Sequence, residues 1–204
     1  MGEEKYENDR YNNPDRIVEN LRKIDETSAA IAEIQRLTTA RIGDVKKMQI
    51  DEENKRVYFP RSKGGRDRYV YFDHFKEDFE KVKECKEILD RALQEKSFSD
   101  IRENEYYKAL ERACKKAGEP YHGAHPLRYE AAQNRYEVIS QLTQEEQKNY
   151  YLRILEDRGK SEKKTEEALN HLREKDEVAI AIITEELGHS RLDIAKNYLK
   201  LKGK

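Results

Sequence analysis

Apolar residues recur at helical spacing along most of the chain. Asn13 and Pro14 mark the start of a first helix, and Thr27 or Ser28 is expected to open a second. Further helical stripes cover 74–93, 101–117, a stretch that begins at His125, and a stretch from 178 to the glycine at 188. The pattern therefore predicts a mainly α-helical protein.

One region carries short apolar runs separated by polar turns, which is a β signal. Short apolar runs lie at 48–50, 57–59 and 69–72, and the turn Asp51–Asn54 separates the first two. The basic turn RSKGGR separates the second and third, so Lys63 is expected at a hairpin tip. The predicted fold class is α+β, with a small three-stranded antiparallel sheet beside the helices.

Charged residues make up 41% of the chain, against 36% hydrophobic residues. We expect one domain over 1–204 with a flexible terminus at 1–12. Residues 141–173 are dense in Glu, Lys and Arg, with a break at 157–160. They are predicted to form a solvated helical hairpin inserted into the domain, dispensable for folding and chemistry.

Several protein classes do not fit the sequence. No apolar run reaches membrane-spanning length, and 1–20 has no signal-peptide core. The cysteines Cys85 and Cys114 have no metal-ligand or redox spacing, and neither a Gly-rich phosphate loop nor an HExxH motif occurs. We therefore expect a cytoplasmic protein with no cofactor and no catalytic metal.

Six polar residues fall at predicted turns and helix starts: Arg41, Lys63, His125, Arg128, His189 and Tyr198. Two arginines can make forked hydrogen bonds to one phosphate, and lysine or histidine can transfer protons. A tyrosine becomes a nucleophile once its proton is removed and its target is made electrophilic. The set suits metal-free attack on a phosphodiester.

These residues carry a resemblance to the catalytic domain of the tyrosine recombinases, the phage-integrase family. LTTARIGDV resembles the first arginine motif, with Asp44 three residues after Arg41, and SKGGRDRYVYF resembles the hairpin that carries the family lysine. HPLR resembles the HxLR box, LGH resembles the LGH box, and Tyr198 follows at the nucleophile spacing. The five motifs occur in the family order over most of 27–199.

The resemblance implies a role for each residue. Arg41, Arg128 and His189 would bind the scissile phosphate, and His125 would assist proton transfer. Lys63 would protonate the 5′-oxygen leaving group, while Tyr198 would form a 3′-phosphotyrosine link. The implied function is cleavage and rejoining of double-stranded DNA in site-specific recombination, with further protomers in a tetrameric synapse. The family also implies a cytoplasmic protein encoded by a prokaryote, phage or mobile element.

Three features depart from the family pattern. The chain before Arg41 is too short for the family's core-binding domain, so we expect an isolated or a truncated catalytic domain. The charged insert places His125 and His189 farther apart than is common, and only six residues follow Tyr198. The net charge of −1 is near zero, but 41–70 and 189–204 are locally basic. Weak, mainly electrostatic DNA binding is expected.

Three alternatives stay open. A type IB topoisomerase-like or resolvase-like enzyme would use the same chemistry and relax or resolve DNA. A catalytically inactive relative would bind DNA as a regulator, although a decayed site should have lost at least one of the six residues. A helical scaffold would bind no DNA at all.

Overall fold

The computed structural model describes residues 10–62, 64–95, 103–172 and 175–189, together with 192, 196, 198 and 199. It confirms a mainly helical protein with a small three-stranded antiparallel sheet. Within these residues, no helix is both long and apolar enough to cross a lipid bilayer.

The helices follow the predicted order and are numbered along the chain: α1 Pro14–Ile24, α2 Glu26–Thr38, α3 Ile42–Val45, α4 Lys76–Glu95, α5 Glu103–Ala117, α6 His125–Gln141, α7 Gln144–Asp157, α8 Glu162–Asn170 and α9 Lys175–Leu187. The strands are β1 Gln49–Asp51, β2 Arg56–Phe59 and β3 Arg68–Tyr71. Two compact units contain these elements, and each unit is built from two separate stretches of chain.

The first unit comprises the described residues of 1–46 and 75–131. In it α1 packs against α2 and α5, and α2 packs against α4. The Asn13 side chain caps α1 by accepting from the Arg16 N–H at 3.1 Å, and Pro14 occupies the first turn. Helix α2 begins at Glu26, earlier than predicted, because the Asp25 carboxylate accepts from the Ser28 N–H at 2.8 Å.

The second unit comprises the described residues of 47–74 and 132–204. Its strands lie in the order β1-β2-β3, with Ile50 opposite Val57 and Val57 opposite Val70. One sheet face buries Val57, Phe59 and Val70, and α9 packs against both β3 and α7. The short apolar runs between polar turns thus placed the strands within one residue of their observed positions.

The prediction that the charged insert is solvated is wrong for its first half. Helix α7 buries Tyr150, Tyr151, Ile154 and Leu155. Its Arg153 donates to the Asp73 carboxylate and to the Asn54 carbonyl, both at 2.8 Å. Only the second half matches the prediction, since Thr165 is the one buried residue among the described side chains of α8. The reason is amphipathicity: the charged residues of α7 cover one face while a Tyr/Ile/Leu stripe covers the other.

Candidate active site

The loop 39–41 presents Arg41 on a firmly held backbone in the first unit. Thr39 has φ 58° and ψ 17°, a left-handed conformation that is uncommon for a β-branched residue. The Thr39 carbonyl accepts from Arg128 Nε at 2.7 Å, and the Ala40 carbonyl accepts from Gln35 Nε2 at 3.2 Å. The surrounding side chains therefore fix this loop, as is typical of strained backbone at functional sites.

Asp44 holds the next backbone group. Its carboxylate accepts from the Arg41 N–H at 3.2 Å, at the start of the short helix α3, and Asp44 is buried. Its side chain thus supports the fold around Arg41. Arg41 Nη1 lies 3.9 Å from the same carboxylate, is itself buried, and has no hydrogen-bond acceptor among the described residues. A buried donor without an acceptor is unusual and marks a place where an anion oxygen would fit.

Arg128 belongs to the first turn of α6 and is only 4% exposed. Its bond to the Thr39 carbonyl ties it to the loop that carries Arg41. A guanidinium is a rigid fork, so bonding through Nε orients the whole group. The structure therefore brings the segments carrying the two predicted phosphate-binding arginines together.

His125 is the first residue of α6 and is exposed, with its ring centroid 5.7 Å from that of Tyr129. The start of α6 is held by Glu130, which accepts from Arg36 Nη2 at 2.8 Å and from Arg36 Nε at 3.2 Å. Arg36 also donates to Asp15 of α1 at 2.7 Å. This ion network fixes the helix turn that carries His125 and Arg128.

His189 is placed by the end of α9 in the second unit. Gly188 has φ 72°, and its N–H donates to the Glu185 carbonyl at 3.0 Å. The His189 N–H donates to the Thr184 carbonyl at 3.0 Å. These two bonds form a Schellman motif, which requires the left-handed glycine that the sequence supplies. The motif therefore fixes the direction in which the chain leaves α9 at His189.

Tyr198 lies beside His189. The ring centroids are 5.5 Å apart at an interplanar angle of 49°, and Tyr198 is 6% exposed. The remaining predicted residue, Lys63, lies outside the described residues. The Ser62 N–H donates to the Arg66 carbonyl at 2.8 Å. These residues lie before and after position 63, so they close the predicted hairpin.

His122, in the loop before α6, packs its ring 6.2 Å from Tyr11 in the first unit. No group of three or more His, Cys, Asp or Glu side chains within the described ranges is arranged to hold a metal ion.

Sequence reasoning missed a buried polar cluster centred on Glu186. Arg135 makes a bidentate ion pair with Glu186, at 2.6 Å from Nε and 2.8 Å from Nη2, and both side chains are almost fully buried. The Tyr150 hydroxyl lies 2.8 Å from the Glu186 carboxylate and 2.9 Å from the Tyr71 carbonyl. A charged residue at a core position of an apolar helix, Glu186 in IAIITEELG, was the available signal.

Burial and charge act together on this cluster. Burial alone lowers the pKa of Arg135, but the neighbouring Glu186 carboxylate more than compensates, and the pKa is raised. Burial, reinforced by the Glu186 charge, raises the pKa of Tyr150 well above 10.0. Arg135 therefore stays charged and Tyr150 stays protonated in the folded protein.

No family model, curated protein or solved structure that was compared with the chain matches it. The functional assignment therefore depends on the residues and geometry described above.

Proposed function

We propose that the chain is a DNA strand transferase with the catalytic-domain fold and chemistry of the tyrosine recombinases. Its substrate is double-stranded DNA, and it works in the cytoplasm as the product of a prokaryotic, phage or mobile-element gene. Further protomers bound to the same DNA complete a recombination synapse.

The proposed reaction exchanges one phosphodiester for another. The Tyr198 oxygen attacks the scissile phosphorus, the bond from phosphorus to the 5′-oxygen breaks, and a 3′-phosphotyrosine forms. His125 assists removal of the tyrosine proton, and Lys63 delivers a proton to the departing 5′-oxygen. A 5′-hydroxyl attacks the phosphotyrosine in the reverse sense and rejoins the strand, so no oxidant or external energy source is consumed.

Arg41, Arg128 and His189 bind the non-bridging oxygens of the phosphate and offset the charge that develops in the transition state. The buried Arg41 Nη1 supports this role, because a phosphate oxygen would supply the acceptor that the described residues do not. Asp44 and Arg128 preorganise the loop that carries it.

The observation that carries the proposal is the pairing of His189 with Tyr198. These residues are nine apart in sequence, yet their rings meet at 5.5 Å. A histidine beside the nucleophile can bind the phosphate at the point of attack.

Covalent trapping on nicked duplexes tests the proposal. On such a substrate the short cleaved fragment diffuses away, so rejoining fails and a protein–DNA adduct accumulates. We expect an adduct with the wild type and with Tyr121→Phe, a control that alters an exposed tyrosine. Tyr198→Phe should yield none, and excess EDTA should not prevent the adduct, because arginines neutralise the phosphate.

The outcomes separate the proposal from its alternatives. An adduct on Tyr198→Phe would reject Tyr198 as the nucleophile. DNA binding without any adduct would favour an inactive regulator, and no binding at low salt would favour a scaffold. Relaxation of a lone supercoiled plasmid, without synapsis of two duplexes, would favour a topoisomerase-like activity.

A further inference from the structure

The last turn of α9 is held by two backbone hydrogen bonds and by an arginine of β3. The Thr184 and Glu185 carbonyls accept from the His189 and Gly188 N–H groups. The Glu186 carbonyl accepts from Arg68 Nη1, which belongs to β3. A helix end leaves its last carbonyls without intrahelical donors, so each of these bonds fixes the geometry of the turn from which His189 projects.

Glu186 is the centre of this arrangement. Its carboxylate is bound by Arg135 of α6 and by the Tyr150 hydroxyl of α7, and its main-chain carbonyl is bound by Arg68. Both arginines are at most 2% exposed and Glu186 is 0% exposed. Such a cluster costs desolvation free energy that an apolar core would avoid, so a contribution to stability alone explains it poorly.

Arg68 links the same cluster to the predicted lysine hairpin. It is the first residue of β3, pairs with Phe59 of β2, and lies five positions after Lys63. The Arg68 guanidinium lies 4.2 Å from the centre of the Phe59 ring, so it packs against a side chain of the sheet. Glu186 therefore contacts the first residue of the strand that follows the hairpin, and it belongs to the helical turn that precedes His189.

We infer that Glu186 is a positioning residue, clamped by Arg135 and Arg68, that sets the His189 turn relative to the hairpin carrying Lys63. This inference rests on the proposed function for the roles of His189 and Lys63. It adds residues that touch neither phosphate nor nucleophile and act through those that do. Small displacements of such groups slow a reaction strongly, by about 100-fold for 1 Å.

The test replaces the ion pair with an apolar pair of similar volume, Glu186→Leu with Arg135→Met. Such replacements often preserve or increase stability, so the double variant should fold. Amide hydrogen exchange at Gly188 and His189 should become about tenfold faster relative to the globally protected core amides. Adduct formation should slow about 100-fold at saturating DNA, with DNA affinity unchanged.

Glu185→Gln is the matched control. Glu185 lies in the same helical turn and pairs with Arg158, outside the Glu186 cluster. The Glu185→Gln variant should leave both the amide hydrogen exchange at His189 and the rate of cleavage near wild type. Should the double variant not fold, Glu186→Gln keeps the shape, removes the charge and should show the same two effects in smaller degree.

Unchanged exchange at His189 in a folded variant would overturn the inference, as would faster exchange with wild-type cleavage. If the wild type itself forms no adduct, the proposed function fails, and the exchange measurement still decides whether Glu186 holds the turn.

Discussion

Gln35 shows how much of the candidate site depends on single buried polar groups. It is 1% exposed, donates to the Ala40 carbonyl at 3.2 Å, and accepts from the Tyr106 hydroxyl at 2.5 Å. Both partners are buried, and burial raises the pKa of Tyr106 well above 10.0. The Gln35 amide therefore supplies the donor for the Ala40 carbonyl and the acceptor for the Tyr106 hydroxyl at the same time.

Gln35→Leu should destabilise the protein by about 1–3 kcal/mol, because it leaves the Tyr106 hydroxyl and the Ala40 carbonyl without partners. Adding Tyr106→Phe should recover part of this loss by removing the stranded hydroxyl. Urea unfolding of the wild type, both single variants and the double variant measures the coupling. Strictly additive effects would mean that the two side chains do not share a hydrogen bond in solution.

Tyr198 and Lys63 should respond differently to one altered substrate. Tyr198→Phe removes the attacking oxygen and should abolish the adduct while preserving fold and DNA affinity. Lys63→Ala should slow cleavage because the 5′-oxygen leaves poorly unless it is protonated. A bridging 5′-phosphorothiolate leaves without that proton, so it should restore cleavage to Lys63→Ala and not to Tyr198→Phe. Rescue of neither variant would exclude Lys63 as the general acid.

At the scale of elements, the two halves of the charged insert should behave in opposite ways. Replacing 161–172 with a short Gly/Ser linker removes mostly exposed side chains and should leave the fold intact, measured by circular dichroism and urea unfolding. Replacing 144–157 removes Tyr150 and the Arg153 contacts to Asp73 and Asn54, and should unfold the second unit. A stable protein without 144–157 would show that α7 is not part of the core.

Helical apolar spacing and short apolar runs between polar turns were sufficient to predict the order of the elements, because burial of one face imposes such patterns. It could not predict the Glu186 cluster, since a buried charge looks like a surface residue until its partners are known. The same ambiguity concealed the burial of α7: a helix was predicted there, but its high charge was taken as the sign of a solvated face. The helix end before His189 was predictable, because a glycine after an apolar helical run is the usual C-cap and Gly188 takes that position.

At the scale of the whole molecule, stability should fall in alkaline solution. Burial raises the pKa of Cys85 from 9.0 to about 12, and raises those of Tyr106 and Tyr150 well above 10.0. Above pH 9 the unfolded chain loses protons that the folded chain retains, so the free energy of unfolding decreases with pH. Below pH 9 these groups are protonated in both states and contribute no slope.

The expected loss is about 1.4 kcal/mol per pH unit for each such group once pH exceeds its unfolded pKa. Urea unfolding at pH 7, 8.5, 9.5 and 10.5 measures it. Cys85→Val should reduce the slope between pH 9 and 10, where the tyrosines contribute least. A slope that Cys85→Val leaves unchanged would mean that this thiol ionises equally in both states.

DNA binding by the whole chain should depend steeply on salt, although the net charge is only −1. Residues 41–70 hold nine Lys and Arg (41, 46, 47, 55, 56, 61, 63, 66, 68) against five acids (44, 51, 52, 53, 67), and 189–204 hold five (191, 196, 200, 202, 204) against Asp193. Not all of these cations are available: Arg68 is buried, and Arg56 pairs with Asp51 and Asp157. The slope should therefore be smaller than the count of basic residues suggests.

Arg66 gives the sharpest test, because it is exposed on the turn beside Lys63. Each phosphate contact contributes a slope of about −0.9 to the plot of log binding constant against log salt concentration. Arg66→Ala should weaken binding to all duplexes alike and make the slope shallower by about one contact. Lys83→Ala, which removes a lysine paired with Glu80, is the control and should change neither quantity. Equal losses in both variants would mean that binding follows total charge, and a loss confined to one DNA sequence would mean that Arg66 reads bases and not the backbone.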